Sequence, residues 1–204
     1  MKEIFLRDNN LDEVAHEAVA VLASGGVIVY PTETAYGLGA DYFNEEAVKK
    51  IFLIKQREAD KPLPVIVSDW GAAEQLVVFD DEIRQILAQH WPGPLTAVLP
   101  FRLFGQKSYF PETLGLRISS HIFCQKLSLL AKNPIVSTSA NISGSGALYS
   151  MEQIKEQFSQ LNIQPDLLIN AGNLPLTPAT TVIRSVAGKI EVLRQGKINI
   201  YPVK

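Results

Sequence analysis

The sequence predicts an α/β protein with helices flanking a mostly buried sheet. Short apolar segments typical of strands alternate along the chain with segments whose apolar residues recur at helical spacing. The strand segments carry few polar residues, which is the pattern of strands covered on both faces. Three strand candidates follow one another near the C-terminus, so we expect a mixed sheet.

The first half of the chain contains three predicted helices and two predicted strands. Helical spacing occurs in LDEVAHEAVAVLASGG, where two glycines provide a stop, and in DDEIRQILAQH. Between them, a capping residue, early acidic residues and late basic residues predict a helix from about Asn44 to Gln56. GVIVY, which Pro31 ends, and LPVIV are predicted strands.

The second half adds predicted strands over LTAVLP, LGLRI and PIVSTS, with a helix over HIFCQKLSLLAK. A polar helix is expected near Met151–Gln160, followed by strands over DLLIN, TTVIR and KIEVLR. GKINIYPVK is expected to form no more than a tail strand. We expect one domain over residues 1–204, a length at which a core needs neither disulfides nor metals.

Composition excludes several classes of protein. The formal net charge of −2 argues against a dedicated nucleic-acid binder with an extended basic face. The one cysteine, Cys124, excludes an intrachain disulfide and is expected to be a buried structural thiol. The three histidines have no ligand spacing. No signal peptide or long apolar run is present, so we expect a cytoplasmic protein.

Two polar clusters follow predicted elements. In YPTETAYGLGAD, Thr32, Glu33 and Thr34 form either a hydrogen-bonded turn or part of a ligand site. In KQREADKP, Lys55, Arg57 and Lys61 are either a solvated helix end or an anion-binding group, because an ammonium beside a guanidinium matches phosphate oxygens. The familiar phosphate-binding fingerprints GxxxxGK[ST] and GxGxxG are absent from the sequence.

A third cluster, STSAN, places four hydrogen-bonding side chains where a buried strand should continue: Ser137, Thr138, Ser139 and Asn141. They either satisfy one another or face a polar ligand, because an unpartnered buried polar group costs ~1–3 kcal/mol. Further along the predicted strands lie Arg117, Thr180, Thr181 and Arg194. Strand ends are where open α/β sheets bind ligands. Together these polar and cationic side chains favour the binding of a polyanion and a small polar ligand over the formation of a covalent intermediate.

The motifs YPTETAYGLGAD, KQREADKP, WPGPLTAVLP, LGLRIS and STSANISG, in this order, closely resemble the YrdC/TsaC family of threonylcarbamoyl-AMP synthases. The resemblance runs from Gly25 to Asn141 and more loosely to Arg194. It implies a twisted sheet around a large, basic, concave cavity. It also implies synthesis of threonylcarbamoyl-AMP from ATP, L-threonine and bicarbonate, with Mg²⁺ held mainly by the phosphates. Partner proteins would then use the product to modify tRNA.

The resemblance also implies roles for individual residues. The K-x-R motif falls on Lys55 and Arg57, which would be catalytic, and the S-x-N motif on Ser139 and Asn141. The ATP-binding set implied is Lys55, Arg57, Thr113, Ser137, Ser139, Asn141 and Arg194. The set implied for threonine or bicarbonate is Thr32, Arg117, Thr180 and Thr181, with Arg117 holding the amino acid's carboxylate.

The chain departs from the family pattern in three places. LPVIV lacks the histidine that many longer relatives carry after K-x-R, and Glu58 replaces a common proline. Longer relatives add a C-terminal domain, and we expect this chain to be of the short form that resembles it in length. Two alternatives remain open. One is a non-catalytic factor that uses the same cavity for binding double-stranded RNA or tRNA, or for ribosome maturation. The other is a carbamoyl-adenylate-forming domain like that of hydrogenase-maturation enzymes.

Overall fold

The computed structural model describes residues 1–58, 62–186 and 189–200 and confirms the α/β fold. Within these ranges six helices flank two mixed sheets. The helices are α1 (Leu11–Ala23), α2 (Glu45–Lys55), α3 (Trp70–Leu76), α4 (Asp81–His90), α5 (Ile122–Ala131) and α6 (Met151–Ser159). None of these described helices combines the length and apolar character that crossing a membrane requires.

The strands form one sheet of five and one of six within the described ranges. The first has the order β1-β9-β2-β3-β8 and the second the order β11-β10-β5-β6-β4-β7. In chain order the strands are β1 (Lys2–Phe5), β2 (Ile28–Pro31), β3 (Tyr36–Gly39), β4 (Val65–Ile66), β5 (Leu95–Pro100), β6 (Thr113–Arg117), β7 (Ile135–Val136), β8 (Thr138–Ser139), β9 (Leu167–Asn170), β10 (Thr181–Val186) and β11 (Lys189–Arg194).

The segment PIVSTS is two strands and not the single strand that its sequence predicts. β7 pairs antiparallel with β4 in the six-stranded sheet, whereas β8 pairs antiparallel with β3 in the five-stranded sheet. At the junction the Ser137 amide donates to the carbonyl of Pro64 over 2.8 Å. The chain therefore passes from one sheet to the other at Ser137, and the predicted single sheet is two sheets.

The two sheets approach closely where β3 passes β7. A Cβ atom on Gly39 would lie 2.7 Å from Cε1 of Tyr30 and 3.1 Å from the carbonyl oxygen of Val136. The Tyr30 ring is fully buried, so it has no open space to move into. Glycine at position 39 therefore permits the close approach on which the junction depends.

Helix α2 has the bounds predicted for it, because both ends are capped. The Asn44 side chain accepts from the Ala47 amide over 3.1 Å at the N-terminus. At the C-terminus Gln56 takes the left-handed conformation (φ 49°), and its amide donates to the Leu53 carbonyl. The reversal ends the helix directly after Lys55 and begins the segment that carries Arg57.

Several features were not predicted. β1, β3 and α3 lack a distinct sequence pattern, since β1 is short and β3 contains two glycines. Residues 196–200 form no strand, which agrees with the expectation that this segment forms no more than a tail strand. Lys61 and residues 201–204 lie outside the described residues.

Cys124 is buried as predicted, its thiol donates to the Pro31 carbonyl, and burial raises its pKa to about 12.

Candidate functional site

A cavity of about 1090 Å³ lies between the two sheets, and residues from both sheets line it. Ten of the eleven predicted site residues are among the lining residues: Thr32, Lys55, Arg57, Thr113, Arg117, Ser137, Ser139, Asn141, Thr180 and Arg194. Among the described lining residues four are Lys or Arg and one, Glu58, is a carboxylate. The fold thus gathers side chains that are far apart in the sequence.

Lys55 joins the K-x-R segment to the S-x-N segment. Its side chain is almost fully buried, and the ammonium donates to the carbonyls of Ser139 (2.6 Å) and Asn141 (2.9 Å). A third, longer bond of 3.3 Å reaches Oδ1 of Asn141. These three acceptors match the three donors of an ammonium group. Burial, and secondarily the neighbouring Arg57 charge, lower the pKa of Lys55 to about 8.

The S-x-N side chains also bond to one another. The Ser139 hydroxyl donates to Oδ1 of Asn141 over 2.5 Å, and Nδ2 of Asn141 donates to the Ile142 carbonyl over 3.0 Å. The first alternative raised for STSAN therefore holds for Ser139 and Asn141, which bond to each other, and Asn141 also accepts from Lys55. All four side chains of the cluster line the cavity, and the second alternative, a polar ligand, stays a prediction.

Arg57 contrasts with Lys55 because most of its hydrogen-bonding capacity has no partner among the described residues. Nη2 donates to the Pro62 carbonyl over 3.5 Å, which is at the limit for a hydrogen bond. Nε is buried and has no partner within the described part of the chain. An unpartnered buried donor costs ~1–3 kcal/mol, which an acceptor on a ligand would recover. Arg57 is thus equipped to bind an anion in the cavity.

Arg117 lies at the end of β6 and is buried, although strand alternation alone allowed it to face solvent. Its guanidinium forms an ion pair with Glu33, and Nη2 donates to the Ser137 hydroxyl over 3.4 Å. The other Glu33 oxygen accepts from the Ser119 hydroxyl over 2.6 Å. Burial tends to raise the pKa of Glu33, but the Arg117 charge and the Ser119 bond outweigh it and lower the pKa.

Glu33 belongs to the site through its ion pair with Arg117, a partner that the sequence did not reveal. It stands between Thr32 and Thr34, both of which line the cavity. The Thr32 hydroxyl donates to the Ala35 carbonyl over 2.6 Å, which closes the turn between β2 and β3. The hydrogen-bonded turn that the sequence allowed is therefore present, and it also contributes two hydroxyl side chains to the cavity wall.

Thr180 and Arg194 form a second pair at the wall. Nε and Nη2 of Arg194 donate to the Thr180 carbonyl, and Nη2 also donates to the Thr180 hydroxyl over 2.9 Å. Thr181 does not line the cavity, so the prediction that it binds substrate finds no support in its position. Its hydroxyl donates to the Ile198 carbonyl over 2.5 Å, because the next residue of a strand points to the opposite face.

The lining also includes residues that no motif marked, such as Thr96 and Tyr149. The Tyr149 hydroxyl donates to the Thr177 carbonyl over 3.0 Å, which ties two segments of the rim together. Nothing in the local sequence distinguishes this tyrosine from a packing residue. The described residues contain no group of three His, Cys, Asp or Glu side chains placed to hold a metal ion.

Comparison with known proteins agrees with the fold and the motifs. The family model Sua5_yciO_yrdC, described as telomere recombination, matches residues 20–196. A protein of Psychromonas ingrahamii named threonylcarbamoyl-AMP synthase is 35% identical over 85% of this chain and 93% of its own length.

Two solved structures show the same architecture. Sua5 of Pyrococcus abyssi, complexed with L-threonine, has a TM-score of 0.83 and 30% identity, and the match covers 96% of this chain. The chain spans only 57% of that protein. YciO of Escherichia coli has a TM-score of 0.82 and 26% identity, with 96% of each chain covered. The chain therefore belongs to the Sua5/YciO/YrdC family.

Proposed function

We propose that this chain is a threonylcarbamoyl-AMP synthase that converts ATP, L-threonine and bicarbonate to threonylcarbamoyl-AMP and pyrophosphate. The name of the Psychromonas relative and the threonine complex of the Pyrococcus protein support the proposal. The product would serve the threonylcarbamoyladenosine modification of tRNA, carried out by partner proteins downstream.

The observation that carries the proposal is the presence of two cationic groups in one cavity. Arg117 contacts Ser137, and Lys55 contacts Ser139, two residues further along an extended segment. Two residues of extended chain span roughly 7 Å. An amino-acid carboxylate at Arg117 and a triphosphate near Lys55 and Arg57 would therefore be close enough for their reacting groups to meet.

The chemistry needs positioning more than a protein nucleophile. The threonine amine attacks carbon dioxide and loses a proton, or attacks bicarbonate with the loss of water, and a C–N bond forms to give a carbamate. A carbamate oxygen then attacks the α-phosphorus of ATP, an O–P bond forms, and the bond from that phosphorus to the bridging oxygen breaks. The bonding electrons leave with pyrophosphate. Fixing two anions beside each other can contribute about 7–11 kcal/mol to lowering such a barrier.

Lys55 and Arg57 would divide the work between them. Because all three Lys55 donors already have acceptors, we assign Lys55 to holding the S-x-N segment in place while its charge attracts the triphosphate. Arg57, with an unpartnered Nε, would bond the phosphate oxygens and stabilise the charge that develops on pyrophosphate. Thr113, Ser137 and Arg194 would complete the nucleotide contacts, and Thr32 and Thr180 those of threonine and bicarbonate.

Mg²⁺ would enter the cavity as part of the nucleotide substrate. Glu58 is the one carboxylate among the described lining residues, and magnesium bound to nucleotides takes most of its oxygen ligands from phosphates and water. The hydroxyl of Ser139 and the amide of Asn141 are suitable for contacting such an ion or its water ligands. The metal would supply charge neutralisation of the triphosphate.

Pyrophosphate release by the purified protein tests the proposal. We expect release that requires ATP, threonine and bicarbonate together, and a loss of roughly 10²–10³ in rate in Arg57→Ala, by analogy with other preorganised donors. Arg7→Ala, which removes an exposed arginine outside the cavity, is the matched control. Normal turnover by a folded Arg57→Ala protein would refute the role of Arg57. Salt-dependent RNA binding without any threonine or ATP binding would instead support the non-catalytic factor.

A further inference from the structure

The rim segment 142–146 follows the S-x-N motif and is held by hydrogen bonds more than by packing. Ser143, Gly144 and Gly146 line the cavity, and residues 143–146 are exposed. Gly144 and Gly146 have positive φ angles of 90° and 67°, and a Cβ atom on either would meet nothing within 4 Å. Such a segment has few contacts of its own to select one conformation, so its external bonds matter.

The bonds that tie this segment to helices come from two places in the described chain. On one side the Ser143 amide donates to the Lys55 carbonyl at the end of α2 over 2.9 Å. On the other side Gln157 of α6 uses both ends of its amide. Its Oε1 accepts from the Ile142 amide over 2.7 Å, and its Nε2 donates to the Ser145 hydroxyl over 3.0 Å. The Ser145 hydroxyl in turn donates to the Ile142 carbonyl over 2.8 Å.

Gln157 is well placed to keep a fixed position. It is half-buried and lies between the buried residues Ile154 and Phe158 on α6, a helix with a complete capping box at its N-terminus. The helix that carries Gln157 is therefore capped at its N-terminus and packed on both sides of Gln157, and the segment that Gln157 holds directly follows Asn141. Fixing a binding segment before the ligand arrives reduces the ordering cost of binding.

We infer that Gln157 is a positioning residue for the nucleotide side of the cavity, although it lies outside every sequence motif and does not line the cavity. It holds the rim segment 142–146 against the triphosphate region while Lys55 holds it from the other side. This inference rests on the proposed function. Its specific consequence is that loss of Gln157 weakens the binding of ATP and leaves the binding of threonine intact. Threonine is assigned to Arg117, and no hydrogen bond joins Arg117 or its partner Glu33 to the rim segment within the described residues.

Steady-state kinetics of Gln157→Ala, Ser145→Ala and the double variant test the inference. Because the net contribution of a hydrogen bond is modest, we expect KM for ATP to rise about fivefold in Gln157→Ala, with KM for threonine within about twofold of the unmodified protein. Ser145→Ala should raise KM for ATP less, because the Ile142 amide still donates to Oε1 of Gln157. The double variant should raise KM for ATP by less than the product of the two single effects, since each single change already removes the bond between Gln157 and Ser145. Gln160→Ala, at the exposed end of α6, is the control.

Two measurements without turnover separate this inference from the proposed function. Amide exchange at Ile142 should accelerate in Gln157→Ala, and calorimetry with a non-hydrolysable ATP analogue should show the same fivefold weakening. A lack of product from the unmodified protein would overturn the synthase, but these two measurements would still test Gln157. Unchanged analogue affinity in a folded Gln157→Ala protein, or an equal rise in both KM values, would overturn the positioning role.

Discussion

The Lys55 ammonium donates to the Asn141 carbonyl over 2.9 Å, although the two residues lie 86 positions apart. This contact closes the cavity wall, because it joins the end of α2 to the segment that follows β8. The K-x-R and S-x-N motifs are therefore one structural unit. Each motif helps to hold the other in position, so a substitution in one motif should also disturb the residues of the other.

Replacing Lys55 with methionine should destabilise the fold as well as abolish turnover. The substitution removes the donors to two carbonyls and leaves acceptors unpaired, at a cost of ~1–3 kcal/mol for each group that stays buried. Lys55→Arg should not restore turnover, since a planar fork cannot reproduce the geometry of an ammonium group in a packed site. Urea denaturation and pyrophosphate release measure the two effects. A Lys55→Met protein with unchanged stability would contradict the joining role.

Stability should rise with pH through the range in which Lys55 titrates. The pKa of Lys55 is lowered from 10.5 to about 8 in the folded protein, so between these values the unfolded chain binds more protons than the folded one. The free energy of unfolding therefore increases relative to Lys55→Met from about pH 8 towards pH 10.5, by up to roughly 3 kcal/mol. Denaturation of both proteins at pH 7.5 and pH 10 measures it. Parallel pH profiles would contradict the assignment.

Glu33→Gln should strongly destabilise the protein, because it leaves the buried Arg117 charge without its carboxylate. Breaking a buried pair typically costs ~3–5 kcal/mol. Glu3→Gln breaks the more exposed pair with Lys155 and should cost no more than ~1 kcal/mol. Thermal denaturation of the two variants measures the difference. Equal melting temperatures would show that the Glu33–Arg117 pair contributes little.

The same pair should make stability depend on acidity. Because the folded-state pKa of Glu33 lies below 4.5, its contribution is fully present above the unfolded value and is lost as the pH falls through the folded value. The stability advantage of the unmodified protein over Glu33→Gln should therefore shrink below about pH 4.5. Denaturant titrations at pH 6 and pH 3.5 test this, and a constant difference would contradict it.

Gly39→Ala should destabilise the junction between the sheets by ~1–3 kcal/mol, the usual cost of overpacking. The added methyl group would lie 2.7 Å from the buried Tyr30 ring. Gly115→Ala is a matched control in another strand, where the nearest atom of another residue, Cβ of Pro64, would be 3.4 Å away. Chemical denaturation compares them. A Gly39→Ala protein as stable as Gly115→Ala would show that the junction tolerates the methyl group.

The sequence was informative wherever local chemistry determines structure. The bounds of α2 follow from Asn44 and the basic C-terminal end, and the buried state of Cys124 follows from its helical neighbours. The motifs also placed ten of the eleven predicted site residues at the cavity, because they lie near the ends of elements that the fold brings together. Their individual roles remain predictions until the variants are tested.

Long-range pairing was the part that sequence could not provide. PIVSTS has an unbroken strand pattern, but its partners differ, since β4 pairs with its first part and β3 with its last. The pairing of Glu33 with Arg117 spans 84 positions and depends on how the sheets meet. Thr180 and Thr181 are chemically alike, and only the direction of the strand at the cavity wall distinguishes them.

Mass spectrometry of the reaction mixture after incubation with ATP, Mg²⁺, L-threonine and ¹³C-bicarbonate tests directly whether the chain is a threonylcarbamoyl-AMP synthase. We expect threonylcarbamoyl-AMP with one ¹³C atom, which must be detected promptly because such mixed anhydrides hydrolyse, and we expect none when either threonine or bicarbonate is omitted. A folded protein that binds ATP and threonine yet forms no labelled adduct would contradict it.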